Sequence, residues 1–290
     1  MDHPPLWRRI VNFPLVAMIL AIAVFLLALA LADLVNRFVV PPIHNSSLRG
    51  AVKAAVAIAC GVLAYKLIIV RLGEHPRDDL PMSGALKPTV LGIGLGFALM
   101  ATAVAVAAIL HVYRIIGPGD TSQLALELVG TAIIPGFVEE LLFRGILFRW
   151  LEEFSGSWIA LAITSVLFGA AHILNPNATW FSSFAIAMEA GVLLGGAYML
   201  TRNLWMPMGL HAGWNFTQGE VFDVPVSGLD EHGLVQAQLS GPPLLSGGGF
   251  GLEASVIGLV IATAAGIWLV WLSARRGLVI QPWWIHRRRT

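Results

Sequence analysis

Two adjacent carboxylates and a guanidinium lie close together inside an apolar stretch of this sequence: Glu139, Glu140 and Arg144. Glu140 and Arg144 are four residues apart, so on an α-helix they share a face and can form a charge-assisted ion pair. Glu139 is rotated from its neighbour by about 100° and is less easily neutralised by this arginine. The spacing favours Glu139 over Glu140 as a general base. A salt-bridge contact between helices would use the same residues.

Two further segments supply imidazoles and an amide. One apolar stretch ends in Phe168-x-x-x-His172, and a later one contains His211-x-x-x-Asn215. His211 and Asn215 are four residues apart and can direct two hydrogen-bond donors at one point, as a developing oxyanion requires. Taken alone, each of these groups could equally make a polar contact between helices. The depths of the three segments within their apolar stretches permit them to meet.

The composition indicates that these residues are positioned by helices in lipid. The chain has 290 residues, of which 57% are hydrophobic and 12% charged, whereas soluble domains carry about 25% charged residues. Polar side chains are therefore too few to cover a water-soluble globule. The net charge of +1 gives no field that would favour nucleic acid, and the single cysteine, Cys60, excludes an intramolecular disulfide framework.

The apolar pattern predicts an all-α, polytopic membrane helix bundle of about eight transmembrane helices, since each helix needs about 20 apolar residues to cross a bilayer. The whole of 1–290 is predicted to be a single transmembrane domain, with catalytic core helices in 122–219 and a Gly/Pro-rich outer loop at 220–251. The predicted spans are 14–36, 50–70, 88–113, 122–148, 157–174, 181–201, 205–219 and 252–274.

The basic residues predict the orientation. With a cytoplasmic N-terminus, twelve lysines and arginines fall on cytoplasmic segments and three on outer segments, a clear positive-inside bias. Both termini are therefore predicted to be cytoplasmic, in the cell inner membrane if the protein is bacterial. The twelve are Arg8, Arg9, Arg71, Arg77, Lys87, Arg149, Arg202, Arg275, Arg276, Arg287, Arg288 and Arg289, and the three are Arg37, Arg49 and Arg114.

Other ionisable residues within the spans have simpler explanations, with one exception. Asp33 and Arg37 are four residues apart near the end of a span and are predicted to pair. Glu189 lies midway along a span, where it could face the same site or satisfy a neighbouring helix. Pro135 is predicted to kink its helix one turn before Glu139.

Together the three polar segments resemble the CPBP family, which comprises CAAX prenyl endopeptidases and bacteriocin-processing enzymes and is also called the Abi family. Its motifs are Glu-Glu-x-x-x-Arg, Phe-x-x-x-His and His-x-x-x-Asn on successive membrane helices. All three are present here, in order and without substitution, within about 130–220. They are Glu139-Glu140-x-x-x-Arg144, Phe168-x-x-x-His172 and His211-x-x-x-Asn215.

The resemblance implies an intramembrane protease that hydrolyses a peptide bond of a membrane-associated or lipidated substrate. Prenylated peptides, leader peptides and membrane-anchored proteins are all compatible with it. It implies that Glu139 and His172 activate water, and that His211 and Asn215 stabilise the oxyanion. Glu140 and Arg144 would then support the site.

Metal dependence stays open at this point, as does the class of function. Glu139, His172 and His211 could hold zinc with water as the fourth ligand, but no His-Glu-x-x-His helix is present, and no cofactor is favoured. A transporter or proton channel could also use buried Glu, His and Arg, although it would predict an inverted repeat, which the sequence lacks. A non-catalytic membrane adaptor is the third reading.

Overall fold

Six helices of the computed structural model, which describes residues 5–286, are long and apolar enough to cross a membrane. They confirm the predicted polytopic helical bundle. Arg287, Arg288 and Arg289, which entered the orientation argument, lie outside the described residues. The six are Pro14–Val39, Ser46–Arg71, Leu86–Ile109, Ser157–Leu174, Trp180–Thr201 and Val256–Arg275.

The two remaining predicted spans are also helical, but one carries more charged residues than the other six and the other is shorter than they are. Residues 124–155 form one continuous helical segment, which carries Glu127 in addition to the two glutamates and the arginine of the first motif. The segment 205–221 is continuous as well but short. The residues of the first and third motifs thus lie on the two least typical of the described membrane helices, whereas His172 lies on the candidate span Ser157–Leu174.

Helices are numbered here in chain order. Those that matter for the site are α4, α6, α8, α10, α11 and α13. The α-helices are α1 Leu6–Val11, α2 Pro14–Val39, α3 Ser46–Leu67, α4 Leu86–Ile109, α5 Leu124–Glu127, α6 Ile134–Leu142, α7 Arg149–Ser155, α8 Ser157–Ala171, α9 Trp180–Ile186, α10 Val192–Thr201, α11 Trp205–Phe216, α12 Pro243–Ser246, α13 Val256–Arg275 and α14 Trp283–His286.

Four π-helical segments interrupt this series: Leu128–Ile133, Phe143–Phe148, Ala187–Gly191 and Thr217–Val221. The first two flank α6, the helix that carries Glu139 and Glu140. Such segments widen the helical turn and occur frequently at functional sites. The first of them ends two residues before Pro135, the residue at which the sequence predicted a kink, and the kink itself stays a prediction.

The predicted outer loop at 220–251 is partly regular. A strand β1, Tyr113–Pro118, pairs antiparallel with β2, Val235–Leu239, and α12 follows β2. The predicted span 88–113 accordingly ends earlier, at Ile109, and Tyr113 already belongs to the strand. Phe250 is buried in the same apolar core as the site helices, so this segment packs onto the bundle.

Glycines bring α4 and α11 into backbone contact. Gly92 and Gly96 on α4, and Gly209 and Gly213 on α11, face the other helix at four-residue intervals. A Cβ atom at any of these four positions would lie 2.3–2.4 Å from a backbone oxygen of the facing helix. Small residues at this spacing allow membrane helices to approach closely. The contact fixes the helix that carries His211 and Asn215.

Candidate active site

Glu140 is the centre of a buried ionic network. Arg144 Nη1 donates to Glu140 Oε1 at 2.9 Å, as the four-residue spacing predicted. His211 Nδ1 lies 3.0 Å from the same oxygen. The Arg144 guanidinium also donates to the carbonyls of Ala190 and Gly191, at 3.0 and 3.3 Å. These contacts join the helix 124–155 to its neighbours and leave Glu140 little capacity to act as a base.

Phe168 packs against both the Arg144 guanidinium and the two imidazoles. The Arg144 guanidinium carbon lies 4.7 Å from the centroid of its ring. The ring centroids of His172 and His211 lie 4.8 and 6.2 Å from that of Phe168. All three motifs therefore contribute to one cluster, which the depths of the three segments within their apolar stretches permitted.

Glu139 has different surroundings from Glu140. Its Oε2 atom lies 4.0 Å from His172 Nε2 and is buried without a hydrogen-bond partner among the described residues. His172 Nδ1 lies 2.8 Å from the carbonyl oxygen of Phe168. Because a carbonyl only accepts, Nδ1 carries the hydrogen, and Nε2 is the nitrogen that faces Glu139. A water about 2.8 Å from both atoms would be held at an angle of about 90°.

His211 and Asn215 each already use one nitrogen in a hydrogen bond to another part of the protein. Since Glu140 beside Arg144 accepts, His211 Nδ1 donates to it, and Nε2 is the nitrogen that remains. Asn215 Nδ2 donates to the carbonyl oxygen of Thr131 at 2.7 Å, which leaves one amide hydrogen. The sequence predicted two donors directed at one point. His211 can supply one at Nε2 only as an imidazolium.

Asn215 binds a carbonyl close to Pro135. Thr131 lies in the π segment Leu128–Ile133, and Pro135 has no N–H that could donate to its carbonyl. The amide of Asn215 donates to this carbonyl and so ties α11 to the helix 124–155.

A small cavity of about 30 Å³ adjoins the cluster. His172, His211 and Asn215 line it, together with mainly apolar side chains. Glu189 also lines it, which answers the question that its position in the sequence left open. Glu139 is not among the lining residues, and its contact with the cavity runs through His172.

Sequence reasoning missed two cavity residues that come from outside the motifs, Ser227 and Glu253. Glu253 precedes the last apolar run, where a carboxylate is readily explained by the dipole of the following helix. Ser227 lies in the segment predicted as an outer loop. No spacing rule connects either residue to the motifs, because only tertiary packing brings them to the cavity.

The residues do not form a preformed zinc site. Within residues 5–286, no group of three His, Cys, Asp or Glu side chains is placed to hold a metal ion. The Nδ1 atoms of His172 and His211 contact protein oxygens, so Nε2 is the nitrogen of each ring that could bind a metal ion. Zinc held by Glu139, His172 and His211 stays a prediction.

Residues 121–217 match the family model of Rce1-like type II CAAX prenyl endopeptidases. This match covers all three motifs and confirms the family resemblance: the segment belongs to the CAAX-type, or CPBP, family of intramembrane peptidases. The family implies a protease, and with the apolar helices it supports an integral, multi-pass membrane protein. No curated protein and no solved structure matches the chain.

Proposed function

We propose that the protein is an intramembrane endopeptidase that hydrolyses a peptide bond of a membrane-associated or lipidated peptide or protein. The observation that carries this proposal is the contrast between the two glutamates. Glu140 Oε1 is bound by both Arg144 and His211, whereas Glu139 has no ionic partner within hydrogen-bonding distance in the described part of the chain, and its buried Oε2 lies 4.0 Å from His172 Nε2. This is the arrangement that a water molecule between a base and an imidazole requires.

In the first step, a water held between Glu139 and His172 loses a proton to the Glu139 carboxylate. The water oxygen attacks the carbonyl carbon of the scissile peptide, and the carbonyl oxygen becomes an oxyanion. Protonated His211, balanced by Glu140, and the second amide hydrogen of Asn215 donate to that oxyanion. Donors already in place are effective because little reorganisation is needed during the reaction.

In the second step, the tetrahedral intermediate collapses. The proton held by Glu139 passes through His172 to the leaving nitrogen, and the carbon–nitrogen bond breaks. The products are a carboxyl group and an amine, which together account for the atoms of the peptide and one water. Arg144 and Glu140 take no part in proton transfer and hold His211 in position.

The test is cleavage of a defined peptide library by the purified protein in detergent. The library contains the same sequences with and without a farnesyl group, so prenyl dependence is read directly. We expect cleavage by the wild type and its loss in Glu139→Gln and His172→Ala. Loss of activity with a strong chelator, and its recovery with zinc, would overturn the metal-free mechanism. Equal cleavage by all three proteins would overturn the proposed catalytic roles.

A further inference from the structure

A second pocket lies where several membrane helices end. Its volume is about 570 Å³, within the range of about 300–1,000 Å³ that is usual for small-molecule sites. Its walls include residues 74–77, which follow the span Ser46–Arg71, and residues from 280–283, which follow the span Val256–Arg275. The third wall comes from α7, Arg149–Ser155, which ends the helix of the first motif. A pocket at the ends of membrane helices is expected at the boundary between lipid and water.

Aromatic side chains beside the pocket indicate the same boundary. Trp283 lines the pocket and packs edge-to-face against Phe13, the residue before the span Pro14–Val39. The ring of Phe154 contacts those of Phe13 and Trp284, with centroids 5.8 and 5.9 Å apart. Tryptophan is enriched at the level of the lipid headgroups. This level suits a ligand that is itself a lipid headgroup.

Two charged residues of the pocket are already paired. Arg77 Nε lies 2.6 Å from Asp79 Oδ1, and Arg77 Nη2 donates to the hydroxyl of Tyr198 at 2.6 Å. Glu152 Oε2 lies 2.5 Å from Arg202 Nη1. Each ion pair is neutral as a unit, so these residues form the wall of the pocket and contribute little net charge to it.

Arg149 and Glu153 differ from these pairs. Arg149 lines the pocket and is 4% exposed, yet its Nη1 and Nη2 atoms have no hydrogen-bond partner among residues 5–286. The guanidinium carbon lies 4.8 Å from the centroid of the Trp150 ring. Glu153 is half-buried one helical turn further on and interacts with Arg149 through charge alone. A buried guanidinium without acceptors is costly, so an acceptor brought by a ligand would stabilise it.

We propose that this pocket binds the headgroup of a phospholipid that carries both a phosphate and a primary ammonium group, as phosphatidylethanolamine does. The phosphate accepts hydrogen bonds from Arg149, whose planar guanidinium matches phosphate oxygens. The ammonium group donates to Glu153. A headgroup without the ammonium leaves Glu153 and the exposed Glu74 to repel its phosphate, and the other charged lining residue, His75, is exposed as well.

This inference does not depend on the proposed peptidase function. No described residue lines both this pocket and the cavity beside the imidazoles. Lipid binding can therefore be measured on a protein that cleaves nothing, and a failure of either proposal leaves the other standing.

The first test compares three lipids with identical acyl chains. Dissociation constants of phosphatidylethanolamine, phosphatidylcholine and phosphatidylglycerol are measured by native mass spectrometry for the full-length protein in detergent. Phosphatidylcholine keeps both charges but has no N–H, and phosphatidylglycerol has no ammonium group. Phosphatidylethanolamine is expected to bind about tenfold or more tightly than either, as hydrogen bonds to charged groups would give. Equal affinities, or tighter binding of either competitor, would overturn the proposal.

A soluble ligand of the same chemistry is distinguished by competition. Glycerophosphoethanolamine, which has the headgroup but no acyl chains, is titrated against bound phosphatidylethanolamine. We expect it to displace the lipid only weakly, because the acyl chains contribute further apolar contact. Displacement at an equal concentration would show that the pocket takes a soluble molecule, and it would contradict the assignment to a lipid.

Variants assign the binding to these residues. Arg149→Gln is expected to weaken phosphatidylethanolamine binding about tenfold or more, and Arg149→Lys should weaken it less because the charge is kept. Glu153→Gln is expected to bring the affinities for phosphatidylethanolamine and phosphatidylcholine together. Arg71→Gln is the control, because Arg71 is exposed at the end of a neighbouring span and does not line the pocket.

The half-buried Glu153 keeps the test decisive even if the buried Arg149 cannot be replaced without unfolding. An unchanged ratio of the two affinities in Glu153→Gln, at the wild-type melting temperature, would contradict the proposal. An equal loss of lipid binding in Arg71→Gln would also contradict it, because it would show general attraction of phospholipid to basic residues.

Discussion

Glu139 and Glu140 are neighbours in the sequence, but the structure gives them opposite surroundings. Replacing Glu140 by glutamine would leave the buried Arg144 guanidinium without its counter-ion, a loss of about 3–5 kcal/mol for a buried pair. Replacing Glu139 by glutamine removes no ion pair within hydrogen-bonding distance. We therefore expect Glu140→Gln to lower the melting temperature markedly, and Glu139→Gln to leave it near that of the wild type.

Glu139→Gln should lose activity even though its stability is unchanged. Loss of a general base lowers kcat by about 10²- to 10⁴-fold, and this loss should occur in a fully folded protein. Melting temperature and kcat measured on the same preparations check both statements. A Glu139→Gln protein that unfolds as readily as Glu140→Gln would show that the two carboxylates share a structural role.

Asn215 provides a second prediction at the residue scale. Asn215→Ala removes the amide that we assign to the oxyanion, so kcat should fall by about 10²- to 10³-fold with little change in KM. Thr131→Val is the matched control: it removes a hydroxyl bonded to Glu220 but keeps the backbone carbonyl that Asn215 contacts. A similar loss of kcat in both variants would point to a general disturbance of this helix contact.

At the scale of elements, the approach of α4 to α11 offers a test that stays away from every polar site residue. Gly96→Ala would place a Cβ 2.3 Å from the backbone oxygen of Leu210, whereas Gly94 has no atom within 4 Å of the corresponding position. We expect Gly96→Ala to displace α11 and cost about 1–3 kcal/mol through overpacking. Gly94→Ala should leave both thermal stability and activity unchanged.

These two variants are compared by melting temperature and by kcat/KM. Equal values for Gly94→Ala and Gly96→Ala would contradict the close helix contact. A selective loss of activity in Gly96→Ala would show that the position of α11 matters to the site, because His211 follows Leu210 directly on that helix.

The sequence predicts contacts between residues that are close along the chain, but it does not predict contacts that tertiary packing creates. The Glu140–Arg144 pair follows from four-residue spacing, and the exposed Asp33–Arg37 pair, with its atoms 2.7 Å apart, was predicted in the same way. The bond between Asn215 and the Thr131 carbonyl joins residues that are 84 positions apart. Glu189 and Glu253 meet only because the helices that follow them, α10 and α13, pack together. No periodicity within one segment could reveal these contacts.

At the scale of the whole molecule, three acidic residues lie together where the segment 220–251 packs against the helices. Glu220 and Glu231 lie near Glu127, and each of the three has a buried carboxylate oxygen without a hydrogen-bond partner among residues 5–286. Burial, reinforced by the neighbouring carboxylates, raises the pKa of Glu220 to about 7 and that of Glu231 to about 8. The ordinary value is 4.5.

Because protonation is coupled to folding, these raised pKa values determine how the stability of the protein changes with pH. Between pH 4.5 and 8 the folded protein holds protons on these groups that the unfolded chain has released, so stability falls as pH rises through this window. We expect a higher melting temperature at pH 5 than at pH 8, and a smaller difference in Glu231→Gln. Asp33→Asn, an exposed site on another helix, is the control. An unchanged pH dependence in Glu231→Gln would contradict this account of the acidic cluster.

The cytoplasmic location of both termini stays a prediction of the basic-residue bias, as does residence in a cell inner membrane. That orientation would put the segment 220–251 on the outer side, where it supplies Ser227 to the wall of the cavity. The segment therefore contributes to the cavity as well as connecting two helices.

The central claim is that Glu139 activates the water that cleaves a peptide bond at this site. The most direct measurement is the single-turnover cleavage rate of the best library peptide, for wild-type and Glu139→Gln proteins of matched melting temperature. The account predicts a rate that is lower by about 10²-fold or more in the variant, with unchanged peptide affinity. A folded Glu139→Gln protein that cleaves at the wild-type rate would contradict it.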